Sequence, residues 1–310
     1  MIEQVERFNE LATAINDNIS QVIIGKEEVV EKLLICLCAQ GHVLIEDVPG
    51  IGKTTLVSAL AKSLDLDFKR IQFTVDLMPS DITGFNMYHP KRGEFIFQKG
   101  AIMTHMVLAD EINRSSPKTQ SALLEVMSEY QVSVDGQTYH LPKPFMVLAT
   151  QNAIEYLGTF PLPEAQLDRF LMKIKLGYPL AQEEMEILEL DSLDRIEHNL
   201  KTLLSIDEVL WMQQQVPKVE CADSIKKYIV NLLNATRNHP DLTVGASPRA
   251  GQMLLKASKA KALLKGRSYV VVDDVKSLVL DVLAHRMSAN QEVNIRDILS
   301  DIMSKVEAPK

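Results

Sequence analysis

The 310-residue chain carries 33 Lys and Arg against 41 Asp and Glu, a formal net charge of −8 at pH 7. That balance argues against a freestanding nucleic-acid binder, which needs a basic surplus to neutralise phosphates, and 46% hydrophobic with 24% charged residues excludes a disordered chain. At about 100 to 200 residues per domain, the length predicts two domains, or one with a sizeable appendage.

The N-terminus, MIEQVERFNELATAIN, is interrupted by acids where a secretory signal would be apolar, and no stretch approaches the roughly 18 consecutive apolar residues of a spanning helix. A cytoplasmic protein is expected. Cys36 and Cys38 stand two apart in a run with helical spacing, where side chains do not face each other, so they and Cys221 read as buried thiols.

Up to about residue 178, apolar β-rich runs alternate with helical patterns, the rhythm of parallel strands joined by crossover helices. The expected strands are 42–46, 68–73, 106–109, 145–149 and 172–176. Between the third and fourth of them, Val132-Ser133-Val134, Asp135-Gly136 and Gln137-Thr138-Tyr139 read as a hairpin. After Gly177-Tyr178-Pro179 the strand signal nearly stops, and helices are expected to start near Gln182, Ile206, Ser224, Pro248 and Asp273.

Three strand ends carry chemistry. HVLIEDVPGIGKTTLVSALAKSL runs from the first strand through a glycine turn into a helix, the context of a phosphate-binding loop. Gly50 and Gly52 let the backbone approach an anion, Lys53 neutralises β- and γ-phosphates, and Thr54 offers a hydroxyl to Mg²⁺. The general G-x-x-x-x-G-K-[ST] pattern places a glycine where this chain has Asp47.

The third strand ends in Asp110-Glu111, which suits a metal-holding carboxylate followed by a base that polarises water. Ser116-Pro117 then starts a helix whose face of Ala122, Leu123, Val126, Met127 and Tyr130 is core. Arg114 reads as solvated, with a phosphate or a neighbouring subunit as the alternative.

The fourth strand ends in Thr150-Gln151-Asn152, where the neutral amide of Asn152 can bond both a phosphate and the attacking water. Arg169 precedes the last strand, and Arg249 lies in the first turn of a helix capped by Ser247, where a cation opposes the macrodipole. Each serves an anion or pairs with a surface carboxylate such as Asp168.

These segments resemble the MoxR family of AAA+ ATPases. The resemblance is carried by LIEDVPGIGKTTL, LADEINRSSPKTQSALLEVMSE, LATQNAIE, FPLPEAQLDRF and GASPRA, in matching order and spacing from about Val22 to the end of the chain. It implies a P-loop NTPase αβα core over residues 1–178 with parallel five-stranded sheet order 5-1-4-3-2, a C-terminal helical lid over 179–310, and a ring, usually a hexamer. It also implies a nucleotide loop of Pro49, Gly50, Ile51, Gly52, Lys53, Thr54 and Thr55, with Asp110 and Glu111 as Walker B. By the same resemblance Asn152 is sensor 1, Arg169 an arginine finger acting in trans, and Arg249 sensor 2. Ile23, Ile24 and Gly25 resemble the segment lining the adenine pocket, although three apolar residues from Val22 are equally good core.

The implied ligands are ATP and Mg²⁺. The implied role is chaperone-like remodelling or activation of a partner complex, commonly with a von Willebrand factor A domain protein. PSDITGFNMYHPKRGEFIFQKGAI resembles the insertion in helix 2 that distinguishes this branch. Alternatives are the motor subunit of a magnesium-chelatase-like complex and a slowly hydrolysing, nucleotide-controlled binding switch.

Overall fold

The computed structural model describes residues 2–48, 50–152, 159–189, 200–290 and 293–309. In chain order the strands of the first part are β1 (Val43–Glu46), β2 (Phe68–Gln72), β3 (Gly84–His89), β4 (Glu94–Lys99), β5 (Met106–Asp110), β6 (Gln131–Val134), β7 (Gln137–His140), β8 (Met146–Gln151) and β9 (Met172–Ile174). Five form one sheet, ordered β2-β5-β8-β1-β9, and every pairing in it is parallel. Counted by chain position among these five, that order is 5-1-4-3-2, as the family resemblance implied.

The apolar runs are continuous because both faces of the sheet are covered. Val43 and Ile45 of β1 join one core cluster with Leu56 and Leu60 of the Lys53–Ser63 helix. Leu44, between them, points into the other, with Leu123, Val126 and Met127 of the Pro117–Glu129 helix. Ala122 and Tyr130, read from the sequence as part of that core face, are only partly buried.

His42 pins the sheet to that second helix. Its Nε2 donates to Met127 O at 3.0 Å and its Nδ1 accepts the Val147 N–H at 3.0 Å, a pairing that requires the neutral ring. Burial accordingly pushes the imidazole down to about 4.

Two antiparallel hairpins interrupt the βα rhythm. The β6–β7 turn has Asp135 and Gly136 both at positive φ, the geometry that the Asp-Gly pair predicts. In the insertion segment a short helix, Pro79–Thr83, leads into β3 and β4. The hairpins touch: Phe97 stacks on Tyr139 with centroids 3.8 Å apart, and Asn86 Nδ2 donates to Asp135 Oδ2 at 2.8 Å.

The C-terminal part is helical, with Ala181–Glu189, Ile206–Gln215, Asp223–Arg237, Pro248–Leu264, Val272–Leu283 and Ile295–Lys305. Three of these start one residue before the sequence reading, and the last was not anticipated. Nor was a small antiparallel pair, β10 (Leu242–Val244) with β11 (Ser288–Ala289). Helix Ile2–Ser20 packs against both halves: Asn18 Nδ2 donates to Ser63 Oγ at 2.9 Å, and Asn9 Nδ2 to Leu264 O at 2.6 Å.

Cys36 and Cys38 are buried and unbonded, and burial raises both thiols, Cys38 to about 12. Cys221 is only partly buried, which corrects the sequence reading. Among the described residues, no helix is long and apolar enough to cross a membrane.

Candidate functional site

The glycine turn after β1 is an open cradle. Gly50 and Gly52 have φ of +85° and +83°, and no heavy atom lies within 4 Å of where a Cβ would stand on either. Side chains are excluded there by backbone conformation rather than by crowding. Gly52 is also the N-cap of the Lys53–Ser63 helix and supplies no side-chain cap, so the first N–H groups of that helix lack the usual intrahelical partners. Lys53 Nζ folds back on the turn, donating to Val48 O at 3.0 Å and Asp47 O at 3.4 Å. Pro49 lies outside the described residues.

Asp47 lines the same cavity as the glycine turn, and its carboxylate is bound to backbone N–H groups. Its Oδ1 accepts the Val48 N–H at 2.9 Å, and its Oδ2 accepts those of Leu176 and Gly177 at 2.7 and 2.8 Å.

At the ends of β2, β5 and β8 a polar network surrounds the acid pair. Thr150 Oγ1, fully buried, donates to Asp110 Oδ1 at 2.6 Å and accepts the Glu111 N–H at 2.8 Å. Arg70 grips Asp110 Oδ2 through Nη2 at 2.6 Å and Nε at 3.1 Å. Glu111 adopts the left-handed conformation with φ +55°, and its Oε2 accepts from Gln72 Nε2 at 2.7 Å and Arg114 Nη1 at 3.1 Å. Arg114 is exposed, as the sequence reading expected, and in addition pairs with Glu111.

Thr150 was named in the sequence only as part of a strand end, and Arg70 and Gln72 were not singled out. Their signal is alternation: in FKRIQF, Arg70 and Gln72 share the face opposite Ile71 and Phe73, so a core-edge strand presents two polar groups at its C-terminal end.

A cavity of about 890 Å³ is lined by Ile23, Ile24, Gly50, Ile51, Gly52, Lys53, Thr54, Thr55, Asp110, Glu111 and Asn152 together. That volume is within the usual range for small-molecule sites. Leu176, Tyr178 and Pro179, which follow β9, and Ile187 and Leu188 of the Ala181–Glu189 helix add an apolar wall. Gly25 is not in the lining; its backbone at φ +68° leaves no room for a Cβ beside the Glu183 carboxylate. Among the described residues no group of three or more His, Cys, Asp or Glu could hold a metal, so a cation here would depend on Thr54, Asp110 and ligand oxygens.

The two arginines singled out in the sequence lie outside that lining. Arg169 Nη1 donates to Leu124 O and Ser128 Oγ on the Pro117–Glu129 helix. Arg249 Nε stands 3.6 Å from Asp168 Oδ2 and is half exposed, so the surface-carboxylate alternative describes it in this state. Asp168 has a second, buried partner that the sequence reading missed. Arg286 Nε donates to Asp168 Oδ1 at 2.9 Å, and its other nitrogens reach the carbonyls of Phe170, Leu171 and Val282. Burial pulls its pKa down to about 10, which leaves it charged at neutral pH opposite Asp168.

The family model for the ATPase family associated with various cellular activities (AAA) matches residues 42–172, and an AAA lid domain matches 234–302. The chain is 39% identical to the chaperone MoxR1 of Mycobacterium tuberculosis, over 94% of this chain and 81% of that protein. It is 49% identical to the uncharacterized protein YeaC of Bacillus subtilis, over 94% and 93% of the two chains. A Cytophaga hutchinsonii crystal structure, provisionally described as an ATPase, superposes with TM-score 0.93 at 40% identity, covering 99% of this chain and 98% of that one. With its sheet order, its glycine turn and these relatives, the chain belongs to the MoxR family of AAA+ ATPases.

Proposed function

We propose that this protein binds and hydrolyses ATP with Mg²⁺ in a homo-oligomeric ring, a hexamer, and uses the cycle in the cytoplasm to remodel or activate a partner protein complex, in company with a von Willebrand factor A domain protein. The observation that carries this reading is the single cavity joining the glycine turn, the acid pair, Asn152 and an apolar wall. The chaperone name of the Mycobacterium tuberculosis relative supports the remodelling role.

In this reading residues 1–178 hold the nucleotide and 179–310 form the lid. The N–H groups around Gly50 and Gly52 cradle the phosphates, and Lys53 exchanges the carbonyls of Asp47 and Val48 for phosphate oxygens. Thr54 and Asp110 would hold Mg²⁺, which when bound neutralises phosphate charge. Glu111 orients the attacking water and takes its proton, after release from Gln72 and Arg114. Asn152 holds the water and the γ-phosphate. Arg169 stabilises the transition state in the neighbouring subunit's site, and Arg249 leaves Asp168 to report the nucleotide's state to the lid.

Replacing Glu111 with Gln tests the assignment of the base. ATP binding should persist while turnover falls by at least a hundredfold, and full activity in the variant would overturn it. The bonds from Gln72 and Arg114 to Glu111 favour a second reading, a slow switch whose ATP and ADP states select different partners. Equal partner affinity with ATP, ADP and no nucleotide eliminates that reading.

A further inference from the structure

We infer that Asp47 is a positioning residue that ties the phosphate loop to the apolar wall of the cavity, so that it governs affinity for the nucleoside rather than for the phosphate chain. The inference rests on the nucleotide-site reading above.

The loop pattern general to P-loops has glycine at this position, yet here a carboxylate makes three hydrogen bonds to backbone N–H groups. Two of them reach across 129 and 130 residues to Leu176 and Gly177. Consecutive N–H groups converging on one anionic oxygen form a small nest, and such charge-assisted bonds are stronger than neutral ones. Gly177 has φ +67° with open space where a Cβ would stand, so glycine permits the turn by which the chain leaves these two bonds.

The segment so anchored contains the wall. Leu176, Tyr178 and Pro179 line the cavity, and Lys26, next to the apolar Val22, Ile23 and Ile24, donates through Nζ to Tyr178 O at 3.3 Å. At its other end Asp47 offers its carbonyl to Lys53 Nζ. One residue thus touches the phosphate-binding lysine through its backbone and holds the wall through its side chain.

The test measures binding of ATP and of inorganic tripolyphosphate, which lacks the nucleoside, by calorimetry for the parent, Asp47→Ala, Asp47→Gly and Asp47→Asn, with Lys53→Ala as control. The ratio of ATP to tripolyphosphate affinity should fall about tenfold in Asp47→Ala and Asp47→Gly, the scale set by losing hydrogen bonds to a charged group. Asp47→Asn keeps an oxygen facing Leu176 and Gly177 and should stay within about threefold of the parent. An unfolded fraction lowers both affinities alike and cancels in the ratio, and if Asp47→Ala fails to fold, Asp47→Gly carries the same prediction. A ratio unchanged in both, whether the two affinities fall together or neither falls, overturns the inference. A parent that binds no ATP, or a Lys53→Ala that binds both ligands as the parent does, overturns the nucleotide reading instead.

Discussion

The ends of the sheet strands and the seam around Asp168 are built in opposite ways. At the strand ends, backbone geometry sets the site: Gly50 and Gly52 hold positive φ with nothing against them, and Thr150 fixes Asp110 and the Glu111 N–H from the neighbouring strand. At the seam, long side chains make the connections, Arg169 to the Pro117–Glu129 helix and Arg249 and Arg286 to Asp168. The first region is organised by the chain's own sheet and faces one cavity. The second holds the half-buried Arg169 and the exposed Arg249 on one or two partners each, while Arg286 is buried among several.

That contrast within the seam yields the largest expected effect. Arg286 serves Asp168 and several main-chain carbonyls from a buried position, so Arg286→Ala leaves a carboxylate and carbonyls short of donors. Urea denaturation should show a loss of about 3 to 5 kcal/mol. Arg169→Ala, which leaves Leu124 O still accepting from Ser128 Oγ and Ser128 exposed, should cost about 1 kcal/mol or less. Equal losses in the two variants would erase the distinction between the buried and the half-buried arginine.

A somewhat smaller effect probes the sheet. His42 has a pKa of about 4 in the folded protein, below the 6.5 expected of the unfolded chain. Between those values the unfolded chain takes up a proton that the folded one refuses. Its contribution to stability is therefore complete above pH 6.5 and is lost as pH falls, amounting to on the order of 3 kcal/mol at pH 4. His285, similarly lowered by burial, adds a slope of the same sign, so the informative quantity is the difference between the parent and His42→Gln. Parallel pH profiles would show that the two bonds of His42 do not demand the neutral ring.

The same contrast explains what was legible in the sequence. Continuous apolar runs and glycine punctuation are local signals, and the core strands and the residues of the glycine turn could be read from them, with the strand order supplied by the family resemblance. Arg70 and Gln72 act on carboxylates about 40 residues away, and Arg286 acts on one 118 residues away. No local pattern marks such partners; the sheet register and lid packing create them. Asp47 was visible as a departure from the loop pattern, but its partners at Leu176 and Gly177 were not. The helix at Ile295–Lys305 was missed although its spacing is amphipathic, with Ile298, Leu299 and Ile302 buried.

The most direct test of the account is the rate of ATP hydrolysis with Mg²⁺ as a function of protein concentration, for the parent and for Arg169→Ala. If the seam supplies its arginine to a neighbour's cavity, specific activity per subunit rises with concentration in the parent and stays low throughout in the variant. Activity that is independent of concentration and retained by Arg169→Ala would contradict it.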